Sequence, residues 1–93
     1  MVVGLLWTSL SIPESRSLKD KRSVIRSLRD RVMLHMNVSV AEVGRQDAWQ
    51  FAEMAFVTVA AEKVTVEKRI SEVSEVVRSD PRAVLLDLRT EYL

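Results

Sequence analysis

Hydrophobic and polar residues alternate along four separate stretches of the chain, with the two-residue period of β-strands. The stretches cover residues 1–12, 38–43, 51–61 and 84–92. The first and third are apolar at both parities, which is typical of strands buried on both faces, and Pro13 ends the first one. The pattern therefore predicts four strands, with the first in the middle of a sheet.

Between the first two strands, apolar residues recur at the spacing of one helical face. They are Leu18, Ile25, Leu28, Val32 and Met36. Ser17 stands where a helix N-cap is expected, with Asp20 three residues later, and Asn37 is a suitable stop. We expect a helix from Leu18 to about Met36.

A second helical pattern precedes the last strand. Its spaced apolar residues are Val66, Ile70, Val73 and Val77. Asp80-Pro81 ends it, because the residue before a proline avoids helical geometry. The order β-α-β-β-α-β predicts one α+β domain over residues 1–93. The expected architecture is a ferredoxin-like sandwich, a four-stranded antiparallel sheet with both helices on one face.

The alternation also predicts which strand residues face the helices. If the last strand sends Leu86 and Leu88 inward, the matching residues are Leu6, Leu10, Met54 and Phe56. The opposite, helix-free face then presents Val3, Leu5, Trp7, Ala55, Val57 and Val59. This apolar patch is large for a monomer, so we expect a homo-oligomer, with a symmetric dimer favoured. Stacking of nucleic-acid bases on Trp7 is the competing interpretation.

Composition excludes several kinds of chemistry. The chain has no cysteine and one histidine, which rules out disulfides, thiolate metal sites, cysteine nucleophiles and multi-histidine sites. The carboxylates Glu42, Asp47 and Glu53 show no metal-ligand pattern, and no serine lies in a nucleophile motif. We therefore expect no metal, no cofactor, no small-molecule substrate and no catalytic residue.

No apolar run approaches the roughly 20 residues that a membrane helix needs. The N-terminal stretch also lacks the basic start of a signal peptide. We expect a cytoplasmic protein without a membrane partner.

Charge is distributed unevenly although the net charge is only +1. Residues 1–45 hold eight basic and four acidic residues, whereas residues 46–93 hold six basic and nine acidic ones. Seven of the 14 basic residues belong to the first helix or its start: Arg16, Lys19, Lys21, Arg22, Arg26, Arg29 and Arg31. Lys19, Arg22, Arg26 and Arg29 fall along one flank of that helix.

Cations in the first helical turns oppose the helix dipole, at a cost of roughly 0.3–1 kcal/mol each at low salt. A bound anion would reverse the sign of that cost. We therefore predict an anion or nucleic-acid site, with a solvated charged face as the alternative. Its residues are Arg16, Ser17, Lys19, Lys21, Arg22, Arg26 and Arg29.

The polar connection between the second and third strands contains an unexpected tryptophan. A tryptophan in such a loop packs on its own domain, on a second subunit or on a ligand. The residues expected to contact a partner, or to tie the loop together, are Arg45, Gln46, Asp47, Trp49 and Gln50.

Two known architectures share this strand order. Acylphosphatases cradle phosphate in a glycine-rich loop after the first strand, but the corresponding loop here, residues 13–17, has Arg16 and no glycine. RNA-recognition domains stack bases on sheet aromatics, but residues 56–59 lack the required basic-Gly-aromatic start.

Two segments together resemble the YlxP-like family of bacterial proteins of unknown function. They are residues 16–22, RSLKDKR, and residues 37–50, NVSVAEVGRQDAWQ; the opening MVVG also fits. The resemblance implies a ferredoxin-like, oligomeric protein, encoded near genes of translation initiation and ribosome maturation. It carries over no enzymatic activity.

The leading hypothesis is a non-enzymatic binding module for RNA or a ribosomal surface. A protein–protein adaptor that uses the apolar sheet face is the first alternative. A small phosphate-processing enzyme is the second.

Overall fold

Four strands and two helices form the architecture that the sequence pattern predicts, in a computed structural model that describes residues 1–93. The elements are β1 (Val2–Ser11), α1 (Leu18–His35), β2 (Ser39–Gly44), β3 (Phe51–Ala60), α2 (Lys63–Arg78) and β4 (Val84–Tyr92). The ferredoxin-like order β-α-β-β-α-β is confirmed. Neither helix combines the length and apolarity needed to cross a bilayer.

The sheet has the order β2-β3-β1-β4, and all neighbouring strands are antiparallel. β1 pairs with β3 from Val2 opposite Ala60 to Ser11 opposite Phe51, and its other side pairs with β4. The prediction of a central first strand is therefore correct. β2 and β4 are the edges, and each leaves one row of backbone N–H and C=O groups unpaired.

The hydrophobic core fills the space between the sheet and the helices. From the sheet it takes Leu6, Leu10, Met54 and Phe56, all fully buried as predicted. From the helices it takes Val24, Leu28, Val32, Val66, Ile70, Val73 and Val77. Each large side chain buried in this way contributes about 1.5–3 kcal/mol of transfer free energy. This core holds α1 and α2 against one face only.

The inward position predicted for Leu86 is wrong. Its side chain is 54% exposed, and Leu85 is the residue that lies opposite Leu10 and packs against the core. The cause is a β-bulge, since the register between β1 and β4 shifts between Ser9 and Leu10. One extra residue reverses the facing of all residues on its other side. Leu88, beyond the bulge, packs against the core as predicted.

A buried carboxylate fixes the turn between α2 and β4. Asp80, 2% exposed, accepts hydrogen bonds from Arg82 through its backbone N–H (2.8 Å) and side-chain Nε (3.1 Å), and one from Arg31 of α1. The hydrogen bond from the Arg82 side chain is the main reason why the pKa of Asp80 lies below its usual value. Arg82 also donates to Ser27 Oγ (2.9 Å), so this turn is tied to α1.

Candidate nucleic-acid interface

α1 lies beside the edge strand β2, and an open groove of about 220 Å³ runs between them. We call it the α1–β2 groove. Its rim on the helix side consists of Arg22, Arg26 and Arg29, and its apolar floor of Ile25, Val40 and Met54; Ala41 and Glu42 of β2 complete the lining. A row of cations therefore stands over an apolar surface, next to an unpaired strand edge.

The three rim arginines are exposed, and their charges are almost unopposed. Arg22 and Arg26 make no ion pair, and Arg29 has only an exposed contact of 3.5 Å between its Nε and Asp30 Oδ1. Such an exposed pair contributes little. Over the seven residue steps from Arg22 to Arg29 the helix rises about 10 Å. Three guanidinium groups therefore follow one wall of the groove.

The charged row and the groove both extend beyond this centre. Lys19, exposed and without an ion pair, continues the row toward the start of α1. At the other end, Arg29 and Val40 also line an adjoining open depression of about 530 Å³. Exposed Met33 and Leu34 of α1 add apolar surface to that depression.

Lys21 does not belong to this surface, which corrects its assignment as an anion contact. Its side chain is 1% exposed and lies between α1 and the β2–β3 hairpin. The ammonium donates to the carbonyl oxygens of Arg45 (2.9 Å), Gln46 (3.2 Å) and Phe51 (3.1 Å). Glu42 Oε2 lies 2.8 Å away. With four oxygens around it, this charge has no capacity for an external ligand.

The sequence contained a signal for this burial. Lys21, Val24, Leu28 and Val32 are the buried residues of α1, spaced i, i+3, i+7 and i+11. Lys21 therefore stands on the apolar face and not on the basic flank. A lysine at a face position of an otherwise apolar stripe marks a buried cation that requires acceptors from elsewhere in the fold.

The start of α1 is closed by its own side chains. Ser17 Oγ accepts from the Asp20 N–H (3.0 Å), as predicted for the N-cap, and Asp20 Oδ2 accepts from the Arg16 N–H (3.0 Å). Ser15 Oγ donates to the Ser17 carbonyl (3.0 Å). A carboxylate thus occupies the place where a phosphate would approach the loop. Arg16 and Ser17 are not part of the α1–β2 groove.

The loop between β2 and β3 is held in place by the rest of the fold. Gln50 donates through Nε2 to the carbonyl oxygens of Pro13 (3.1 Å) and Ser15 (3.2 Å). Arg45 has a left-handed backbone, with φ of 57°, and its guanidinium lies 4.6 Å from the ring centroid of Phe51. Gln46 provides a carbonyl to Lys21. Three of the five predicted loop residues thus have structural contacts.

Trp49 and Asp47 remain on the surface of that loop. Trp49 is 56% exposed, so the core does not cover it. Asp47 is exposed and forms no ion pair. Contact of these two side chains with a partner stays a prediction.

The helix-free face of the sheet carries the predicted apolar stripe. Its rows pair Val3 with Val59, Leu5 with Val57 and Trp7 with Ala55 across β1 and β3. Val57 is 39% and Val59 49% exposed. On the β4 side the stripe is bordered by Asp87, Arg89 and Glu91, which lie opposite Ser9, Trp7 and Leu5.

Trp7 already has a cationic neighbour on this face. The guanidinium of Arg89 lies 5.1 Å from its ring centroid, at the distance of a cation–π contact. A base stacking on Trp7 would have to displace Arg89. No three His, Cys, Asp or Glu side chains form a group that could hold a metal ion.

Comparisons with known proteins give one family and one close relative. The family described as a protein of unknown function, DUF503, matches residues 3–90. The uncharacterized protein YlxP of Bacillus subtilis (strain 168) is 32% identical over 91 residues, which cover 98% of this chain and 99% of that protein.

Solved structures resemble the chain in fold. The de novo designed protein Foldit4 has a TM-score of 0.60 at 16% identity and covers 98% of this chain and 97% of its own. A second design with a ferredoxin fold has a TM-score of 0.58 at 15% identity, over 98% and 88% of the two chains. A dimeric ferredoxin-like protein from an uncultured marine organism has a TM-score of 0.50 at 8% identity, over 100% and 94%. At these sequence identities, the similarity establishes the fold alone.

Proposed function

We propose that this chain, which belongs to the DUF503 family of proteins of unknown function, is a non-enzymatic module that binds RNA in the α1–β2 groove. The resemblance to the YlxP-like family is confirmed by the relative of 32% identity. The observation that carries the proposal is the row of rim arginines, Arg22, Arg26 and Arg29, over an apolar floor, with one exposed contact of 3.5 Å between Arg29 and Asp30 as their only ion pair.

Guanidinium groups suit phosphate because they remain charged and donate two parallel hydrogen bonds. Each phosphate neutralised on a single strand releases counterions and contributes about −0.7 to the slope of log affinity against log salt. Contacts by Lys19 and the three rim arginines would give a slope of about −2.8. If these side chains were only a solvated charged surface, RNA would not bind there and no such salt dependence would be measured.

The apolar stripe favours a second candidate function, which is self-association or adaptor binding through the helix-free face. Val3, Leu5, Val57 and Val59 expose apolar surface in two adjacent strands, and charged residues of β4 border them. An apolar centre with a charged border is the anatomy of a protein interface. A symmetric homodimer would cover this stripe and leave the α1–β2 groove open on the other side of the sheet.

Fluorescence anisotropy with labelled RNA fragments, titrated across salt, tests RNA binding. We expect micromolar affinity for the wild type and a slope of about −2.8. The double variant Arg22→Glu, Arg26→Glu should lose binding at 150 mM salt and retain its melting temperature, since both side chains are exposed and unpaired.

The matched control is Lys68→Glu, Arg78→Glu, which changes the net charge equally on exposed positions of α2. It should retain most of the affinity. Equal loss in both double variants would reduce the effect to overall charge. Absence of binding at low salt would make the rim a solvated surface and leave the interface on the sheet as the better-supported function.

A further inference from the structure

We infer that the α1–β2 groove binds single-stranded RNA by placing bases on its apolar floor, with the phosphates on the arginine rim and the base edges toward β2. The inference rests on the proposed function and adds what the groove recognises. Three features of the groove carry it: the floor, the free strand edge and one carboxylate.

The floor offers an apolar surface that phosphates alone would not use. Ile25 of α1 and Val40 of β2 are half-buried and form its accessible part, and the fully buried Met54 of β3 supports them from the core. Flat bases pack on apolar side chains as well as on aromatic ones. A ligand with negative groups at one side and flat apolar groups at the other would match the rim and the floor together.

The edge of β2 supplies hydrogen-bonding groups beside this floor. β2 is the outermost strand, so the backbone N–H and C=O groups on its outer side have no strand partner. Its residues next to the groove are Val40, Ala41 and Glu42, and neither a proline nor a basic side chain protects the edge there. Edges of unpaired bases carry donors and acceptors that fit such groups.

Glu42 adds an acceptor within the groove. Glu42 Oε2 is buried and lies 2.8 Å from the Lys21 ammonium, which holds the carboxylate in place, so only the rest of the carboxylate can face the groove. The Glu42 side chain retains 18% exposure and lines the groove. Exocyclic amines of cytosine donate to carboxylates in this manner.

This carboxylate favours RNA over an acidic peptide as the occupant. A peptide could pair its carboxylates with Arg22 and Arg26, but an acidic side chain has no hydrogen-bond donor to offer Glu42, whose charge Lys21 offsets. Bases are uncharged and bring amine donors to the same place. A duplex is disfavoured as well, because its bases are stacked with their pairing edges in use, and cannot reach the floor.

Three labelled probes of equal length separate these possibilities: an eight-nucleotide single-stranded RNA, an abasic strand with the same number of phosphates, and the RNA as a duplex. We expect the single strand to bind about tenfold more tightly than the other two, because only its bases can transfer from water to the apolar floor. Equal affinity for the abasic strand would overturn the inference while the anion site remained.

The variant Val40→Lys tests the floor, because it should affect the affinities for RNA and for the abasic strand differently. The new side chain fills the floor and adds a cation, so affinity for the RNA should fall about tenfold, while affinity for the abasic strand should stay or rise. A folding defect would weaken both probes. The control Val64→Lys adds the same charge at a position on α2 that is 67% exposed, and should leave the preference for RNA unchanged.

Each remaining outcome is decisive. Failure of all three probes at low salt would remove the proposed function together with this inference. Tighter binding of a peptide of alternating Glu and Leu than of the RNA would assign the groove to an acidic strand. Concentration-dependent association that Val40→Lys abolishes would assign it to a second copy of the chain. Cytosine preference that disappears in Glu42→Gln would support the inference further.

Discussion

The carboxylate of Glu42 lies 2.8 Å from the ammonium of Lys21, and this pair joins α1 to the strand that forms the other side of the groove. The two residues belong to the two segments that resemble the YlxP-like family, residues 16–22 and 37–50. Lys21 also bonds to the carbonyl groups of Arg45 and Gln46 in the second segment. Part of that pattern is therefore structural, because it joins α1 to β2 and to the loop that follows β2.

Replacement of Lys21 by methionine should destabilise the protein severely. Methionine retains most of the volume, but three carbonyl oxygens and the Glu42 carboxylate lose the cation that compensates them. Breaking a buried pair in this way costs about 3–5 kcal/mol. Urea denaturation followed by circular dichroism measures it. Lys19→Met, two residues earlier and exposed, should change the free energy of unfolding by less than about 0.5 kcal/mol. Similar losses in both variants would contradict the role of Lys21.

The stability contributed by Asp80 should depend on pH. Its pKa in the folded state is lowered, chiefly by the hydrogen bond from the Arg82 side chain, so its contribution is complete above the unfolded-state pKa of about 3.9. It is lost as the pH falls through the lower folded-state pKa. Asp80→Asn should cost about 1.5–3 kcal/mol at pH 7. Urea titrations at pH 7, 5 and 3 should show that this difference shrinks only below about pH 4. A difference in stability between the two proteins that stays constant down to pH 3 would contradict this role of Asp80.

Alanine substitutions at the two glycines should differ in how much they destabilise the protein. A Cβ on Gly4 would collide with Val66 Cγ1 and lie 3.3 Å from Ile70 Cγ1, both in the packed face of α2. Gly4→Ala should therefore cost about 1–3 kcal/mol. A Cβ on Gly44 would meet the carboxylate end of Glu53, a flexible group that can move aside. Gly44→Ala should stay within about 1 kcal/mol of the wild type. Chemical denaturation of both variants measures the two costs. A larger loss of stability for Gly44→Ala than for Gly4→Ala would contradict the close packing at Gly4.

Self-association should depend on the centre of the apolar stripe. Val57→Lys puts a charge between Leu5 and Ser39 in the middle of the helix-free face, so a dimer formed there should dissociate. Analytical ultracentrifugation at micromolar concentration should then show a dimer for the wild type and a monomer for the variant. RNA binding should persist in the monomer, because the groove lies on the other side of the sheet. A wild type that stays monomeric at all concentrations would remove this candidate function.

Periodicity predicts the elements here because both helices carry an apolar stripe at helical spacing and the strands keep a two-residue period, apart from the register shifts in β2 and β4. Leu86 departs from the prediction because the bulge in β4 exists only relative to its partner β1, at the step from Ser9 to Leu10. A one-dimensional pattern of apolar residues contains no information on such a step.

The sequence also predicts only part of the candidate site. The charge of Arg22, Arg26 and Arg29 and their common flank follow from the helical period alone. The apolar floor does not, because Val40 and Met54 join Ile25 only when α1 packs beside β2. Lys21 shows the same limit, since its acceptors at Arg45, Gln46 and Phe51 lie 24 to 30 residues further along the chain.

The central position of β1 has a consequence for the order of folding. β1 leaves the ribosome before the other three strands of this sheet, yet one of its two partners is β4, and Gly4 pairs with Tyr92, 88 residues later. Until β4 has been synthesised, β1 must expose one unpaired edge. Pairing over such a distance is slow and leaves a nascent chain prone to aggregation. Growing chains should therefore remain protease-sensitive until β4 has emerged from the ribosome, and the sheet should close in a single late step.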